Sequence, residues 1–225
     1  MNIDQIRGYL DSKDPQSRMK AITELRHYEP DMVVPLLQTC LDDPEVIVRS
    51  FVAMGLGYKR TPEGFEALVK LVHRDADYNV RAEAANALGR YGREAIPHLL
   101  RAFYENDHWL VRMSIFPALA DLDCPEQLLD LCISSLEGAD QAVKEAAIAQ
   151  LCLFADTPYQ TRALQHLLPL VSASEWSTRR QVALALCQFQ EPQAEAALTQ
   201  LRKDPDHRVV AAVMERLLSA QVGGE

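Results

Sequence analysis

Apolar side chains recur along this chain at helical spacing, and the spacing itself repeats. In DDPEVIVRSFVAMGLG (42–57), Val48, Val52, Ala53 and Leu56 fall on one helix face, with Arg49 in the first turn. The same arrangement returns in DADYNVRAEAANALG (75–89), DHWLVRMSIFPALA (107–120) and DQAVKEAAIAQLC (140–152). With the cation as a marker, copies stand at Arg18, Arg49, Arg81, Arg112, Lys144, Arg179 and, imperfectly, Val210, at intervals of 31, 32, 31, 32, 35 and 31 residues. Seven positions beyond each marker is a leucine: Leu25, Leu56, Leu88, Leu119, Leu151, Leu186 and Leu217. The position before the marker is Ser17, Val48, Val80, Val111, Val143, Thr178 or Val209, and the third and fourth positions after it are apolar throughout. A period sustained over seven copies is the mark of a repeat protein.

Second amphipathic segments lie between these helices, at 30–41, 61–73, 93–104, 124–136, 157–171 and 191–203, and NIDQIRGYL supplies the same element at the start. Proline opens several of them, as suits a first helical position. The pattern predicts fourteen helices in seven antiparallel pairs, without a strand or a linker. Neither helix of a pair can bury its apolar stripe alone, so the pairs must stack on one another. The expectation is one domain over 1–225, with repeats at about 1–29, 30–60, 61–92, 93–123, 124–156, 157–190 and 191–225.

A helix pair whose turn holds an acid, followed by Val-Arg and then Ala-x-x-Leu-Gly, resembles the HEAT repeat. The short period and the form of Asp75–Gly89 are similar to the phycobilisome-lyase subtype. The resemblance implies an all-α, right-handed α-α superhelix with the Arg-bearing helices lining its concave side. It also implies Asp–Arg rows, Asp43 with Arg49 and Asp75 with Arg81, whose acids cap helix N-termini and whose forked arginines bridge neighbouring acids.

If each marker helix buries positions −1, +3, +4 and +7, then +1, +2 and +5 face the groove. The candidate partner-binding groove, placed around repeats two to four, is therefore Met19, Phe51, Met54, Glu83, Asn86, Met113, Pro117 and Leu184. Phe51 and Met54 stand out, because methionine adapts to irregular partners and aromatics anchor interfaces. The alternative is that a neighbouring repeat buries both as ordinary core. Pro117 removes one helical hydrogen bond and either shapes the groove or bends the helix. Three positions before the marker, Tyr78, Trp109 and Trp176 form an aromatic edge that is either a second contact strip or packing over the adjoining turn.

Charge and composition narrow the function. A net charge of −9 without a Lys/Arg block argues against nucleic acid. The first ten residues hold charges and no apolar core of a signal peptide, and no run of about 18 apolar residues could cross a bilayer. A cytoplasmic protein without membrane insertion is the expectation. Five scattered cysteines form no disulfide framework. Cys152 and Cys187 share position +8 with Gly57 and Gly89, as small core fillers or, alternatively, as thiols for bilin or cluster transfer. There is no HExxH, GxxxxGK[ST], GxSxG or CxxC, and no His-Glu dipeptide of the kind that holds iron in HEAT-type hydroxylases. No catalytic, cofactor-binding or metal residue is assigned, and no cofactor is expected.

The leading expectation is a non-enzymatic scaffold or assembly factor that holds a helix or peptide of another protein in its groove. The resemblance implies the alternative of a bilin lyase-type subunit or phycobilisome-handling factor, with a phycobiliprotein as partner. A third reading makes the chain a companion of an iron–sulfur or other cofactor carrier.

Overall fold

The computed structural model describes residues 1–222, with side chains described through Glu215. Among them the chain is all helix, with fourteen α-helices and no strand. They form two compact units, Met1–Cys124 and Pro125–Glu225.

In the first unit, α1 (Ile3–Leu10), α3 (Pro30–Gln38), α5 (Pro62–Arg74) and α7 (Ile96–Glu105) alternate with the marker helices α2 (Pro15–Glu24), α4 (Val46–Lys59), α6 (Tyr78–Leu88) and α8 (Trp109–Ala120). Marker helices pack on one another in sequence, α2 on α4, α4 on α6 and α6 on α8, and each also packs on its own partner helix. The second unit repeats the plan with α9 (Pro125–Leu136), α11 (Gln160–Leu167) and α13 (Pro192–Leu201) alternating with α10 (Gln141–Leu151), α12 (Trp176–Leu186) and α14 (His207–Val222).

The rows read from the sequence are the core. Val48, Val80, Val111 and Val209 are sealed from water, as are Leu56, Leu88, Leu119, Leu151 and Leu186. Leu217 lies outside the described side chains. Two positions depart from their rows. Ser17 is only half-buried because it sits on Asp14, whose carboxylate accepts its hydroxyl. Met214, at +4 of the final copy, is exposed.

Two of the predicted segments pass into 3₁₀-helix at one end. The segment from 93 begins as 3₁₀-helix over Gly89–Ala95, where Gly92 takes φ +82°, a conformation that costs a residue with a Cβ. The segment 157–171 becomes 3₁₀-helix from Leu168, next to Pro169, which has no N–H to continue the α-helical ladder.

Small residues set how closely marker helices approach. A Cβ on Gly57 would stand 2.8 Å from the Cβ of Ala87, and one on Gly89 would stand 3.0 Å from the Cβ of Ala118. Glycine at +8 and alanine at +6 of the next copy thus make a backbone-level contact. Burial of this kind, roughly 25 cal/mol per Å² of apolar surface, is what the array stands on.

Candidate peptide-docking cleft

The polar framework that fixes one repeat against the next is a ladder of arginines. Arg18 grips Asp43 with two parallel bonds, Nε to Oδ2 at 2.7 Å and Nη2 to Oδ1 at 2.8 Å. Arg49 holds Asp75 in the same way at 2.8 and 2.9 Å, and Arg179 holds Asp204 at 2.7 and 2.9 Å. Each arginine also donates Nη1 to the carbonyl of the residue six places before it: Ser12, Asp43 and Ala173 respectively. The pairing therefore differs from the expected one. Asp43 belongs to Arg18 rather than Arg49, and Asp75 to Arg49 rather than Arg81.

Nor do these aspartates cap the helices. They accept the N–H two residues on, at Glu45, Asp77 and Asp206. The capping carboxylates are a separate set, Asp14, Asp77 and Asp140, four places before the marker. In the fourth copy Asn106 takes the ladder position and accepts Arg81 Nη1 at 2.7 Å, while its own amide donates to Ala102.

The pairing moves the acid constants. Arg179 and the Asp206 N–H hold Asp204 below the usual carboxylate range, against a smaller opposing effect of burial. At Asp75 burial works upward, yet Arg49 and the Asp77 N–H outweigh it and the net shift is downward.

Upon this framework α4 carries Phe51 and Met54 on the same face. Both are half-buried and line a cleft of about 500 Å³. The cleft lies between the first and second repeats. Ile22 and Thr23 of α2 and the following Leu25 and Arg26 form one wall, Val33 and Leu37 of α3 lie within it, and Phe51, Met54, Gly55, Tyr58 and Lys59 form the other wall. Gly55 keeps it open: a Cβ there would meet Leu37 Cδ1 at 3.0 Å. Where the sequence places alanine at +6 of the third and fourth copies, the second has only a hydrogen.

Cations stand at the rim. Arg26 is exposed, its Nε 2.9 Å from His27 Nε2. Lys59 Nζ is tied to the carbonyls of Arg26 and Tyr28. Arg90 lays its guanidinium 4.4 Å above the ring of Tyr58, which is 58% exposed. Among the described residues lining the cleft none carries a carboxylate.

The other expected groove residues are distributed differently. Glu83, Asn86 and Pro117 come together in a second recess of about 400 Å³, with Gly89, Arg90, Ala118 and Asp121. α8 runs on across Pro117, whose ring is exposed at that recess. Met19 and Met113 are half-buried and line neither hollow, and Leu184 is half-buried on α12 in the second unit. On the edge, Tyr78 stacks on His108 at 3.8 Å and His108 leans on Trp109 at 5.8 Å; Tyr78 and Trp109 remain 39% and 45% exposed. In the second unit the face of Trp176 is covered by the Arg208 guanidinium.

Sequence reasoning passed over two features. The cationic rim sits at +8 to +10, just beyond the repeated leucine at +7. The other is a half-buried imidazole, His73, against His98, Arg101 and Glu105. Its Nδ1 is 3.3 Å from Glu105 Oε2 but poorly aligned with it, and both ring nitrogens are shielded from water. Burial first, and Arg101 second, push its pKa below the usual histidine value.

The thiols are arranged for packing. Burial raises the pKa of Cys40, Cys124, Cys132 and Cys152, which suppresses the reactive thiolate. Among the described residues no group of three His, Cys, Asp or Glu is placed to hold a metal ion, and no helix is long and apolar enough to cross a membrane.

Comparison with known proteins agrees with the architecture. None of the curated proteins matches the sequence. Among solved structures, the Escherichia coli protein YibA superposes with a TM-score of 0.62 at 15% identity, covering 96% of this chain and 92% of that one. The CpcE–CpcF complex of phycocyanin lyase from Nostoc sp. PCC7120 gives 0.54 at 19% identity, covering 98% and 88%. An engineered protein gives 0.53 at 19%, covering 96% and 68%. At such identities the likeness is one of fold. The profile of HEAT repeats matches residues 33–120 and 127–219, four-fifths of the sequence, and the chain belongs to the HEAT-repeat family.

Proposed function

We propose that this HEAT protein is a non-enzymatic binding module that takes a helix or peptide segment of a partner protein into the cleft beside Phe51 and Met54. The observation that carries the reading is that cleft itself. An apolar hollow of this size, open to solvent and floored by Val33 and Leu37, falls in the range that accepts anchoring side chains. Its walls come from separate helices pinned by the Arg18–Asp43 and Arg49–Asp75 pairs, so it exists before any partner arrives. A preformed hollow avoids the ordering cost that weakens flexible binders.

The test is partner capture by the full chain against the double variant Phe51→Glu, Met54→Glu. Two carboxylates in the cleft are expected to abolish capture while leaving the thermal transition within a few degrees of the parent. Undiminished capture overturns the reading, and so does loss of the fold, which would make the pair ordinary core. Visible absorbance of the purified complex would bring in the two other readings, bilin handling, which the subtype suggests, or companionship of a cluster carrier. A colourless stoichiometric complex supports the module alone.

A further inference from the structure

The rim of the cleft carries its own information, and the chemistry of the occupant inferred from it rests on the docking reading of the Phe51–Met54 cleft. The chain has 32 acidic and 23 basic residues, so an arbitrary patch of its surface is more often acidic than basic. The second recess follows that rule, with Glu83 and Asp121 beside Arg90. At the ladder turn the signs are balanced, where Asp42, Asp43 and Asp75 stand with Arg49, Lys70 and Arg74. The Phe51–Met54 cleft breaks the rule: its lining holds Arg26 and Lys59 and no carboxylate, and Arg90 approaches through Tyr58 from the turn after α6.

These cations are unequal. Lys59 is engaged with two carbonyls, which brace α4 against the turn after α2. Arg26 and Arg90 are exposed, one beside the imidazole of His27 and the other over an aromatic face. Their guanidinium forks are available to a carboxylate in bidentate geometry. Tyr58 stands between Arg90 and the cleft with its ring more than half exposed, an amphipathic surface suited to the border of an interface.

We infer that the occupant is an acidic amphipathic segment, with apolar side chains at helical spacing that enter beside Phe51 and Met54 and Asp or Glu residues that meet Arg26 and Arg90. A basic segment would bring like charges against the rim at a site that has no carboxylate to receive them.

A random-peptide display library, with inserts about four helical turns long, panned on the intact protein and in parallel on the Phe51→Glu, Met54→Glu variant, separates this inference from the reading beneath it. The expected result is enrichment of sequences that pair apolar residues three or four apart with flanking acids, absent from the variant. A synthetic peptide from that pool should lose about tenfold in affinity on Arg26→Glu, Arg90→Glu, about threefold on the milder Arg26→Gln, Arg90→Gln, and affinity again as salt is raised. Enriched sequences that depend on Phe51 but are neutral or basic overturn the acidic occupant and leave the docking cleft standing. So does an acidic peptide indifferent to both arginine variants. Absence of any enrichment that depends on Phe51 removes both.

Discussion

The arginine ladder invites a quantitative test at Asp75. Its side chain is 5% exposed and that of Arg49 13%, so the pair is largely removed from water. Both Asp75 oxygens receive Arg49, and Oδ1 also accepts the Asp77 N–H. Asp75→Ala deletes all three bonds and leaves a guanidinium half-buried with only the Asp43 and Pro44 carbonyls. Loss of one partner from a buried pair costs about 3–5 kcal/mol. Asp75→Asn is a gentler change, because the fourth copy already uses Asn106 to accept Arg81. It keeps one acceptor and loses the charge assistance, at about 1–2 kcal/mol. Replacing both members by apolar residues, Arg49→Met with Asp75→Leu, should recover much of the alanine loss, since no unpaired charge remains.

Urea unfolding followed by circular dichroism gives the free energies, and hydrogen exchange over 43–81 shows where the loss falls. An array need not unfold in one step, so the comparison requires unchanged slopes among the variants. The reasoning is refuted if alanine costs under about 1 kcal/mol, or if alanine and asparagine cost the same.

Four further outcomes are set by the geometry. Gly57→Ala should destabilise by about 1–3 kcal/mol in the same unfolding experiment, because the new methyl meets Ala87 at 2.8 Å against backbone that cannot step aside. Gly55→Ala should be close to neutral, because its tight contact is with the flexible end of Leu37 and Ile22 lies at ordinary contact distance, and it should narrow the docking cleft enough to weaken peptide binding. Stability should rise with pH across the interval from the depressed pKa of native His73 up to about 6.5. Within it the unfolded imidazole is protonated and the folded one is not, so acid favours the unfolded state; His73→Gln should flatten that limb in thermal melts taken from pH 5 to 8. Below about 3.8 a second loss is expected in melts carried further into acid, as Asp75 and Asp204 take up protons, since their folded pKa values lie under the unfolded ones and their stabilisation is fully present only above that range.

How much of this was legible in the sequence depends on what a residue touches. Val48, Val52, Ala53 and Leu56 declare themselves because every copy meets its neighbour with the same positions, so a shared contact becomes a shared letter. The ladder was half visible. The two acids of DADY look alike in a string, and only the fold separates Asp75, which receives an arginine, from Asp77, which caps a helix, because the donor sits 26 residues earlier. Phe51 and Met54 were conspicuous as breaks in the pattern, yet the cleft they line depends on what is missing beside them. Gly55 supplies that opening, and Val33 and Leu37 of α3 lie behind it. Of the groove expected around repeats two to four, Phe51 and Met54 line one recess and Glu83, Asn86 and Pro117 another. His73 gave no signal, because a histidine at the end of an amphipathic helix reads as solvated until Arg101 and Glu105 are seen to enclose it.

The offset of the ladder has a corollary for where such an array can be shortened. Because each guanidinium belongs to one copy and its acceptor to the next, excision of a whole period such as 43–74 removes Asp43 and Arg49 together and presents Arg18 with Asp75, a like-for-like exchange. Truncation behaves otherwise. A chain ended at residue 60, where a helix pair closes, keeps Arg49 but discards its receiver, whereas one carried on past Asp77 retains the couple along with the N–H that steadies it. The tidy seam between helix pairs is thus the wrong place to cut, and the sound one lies a helix further on.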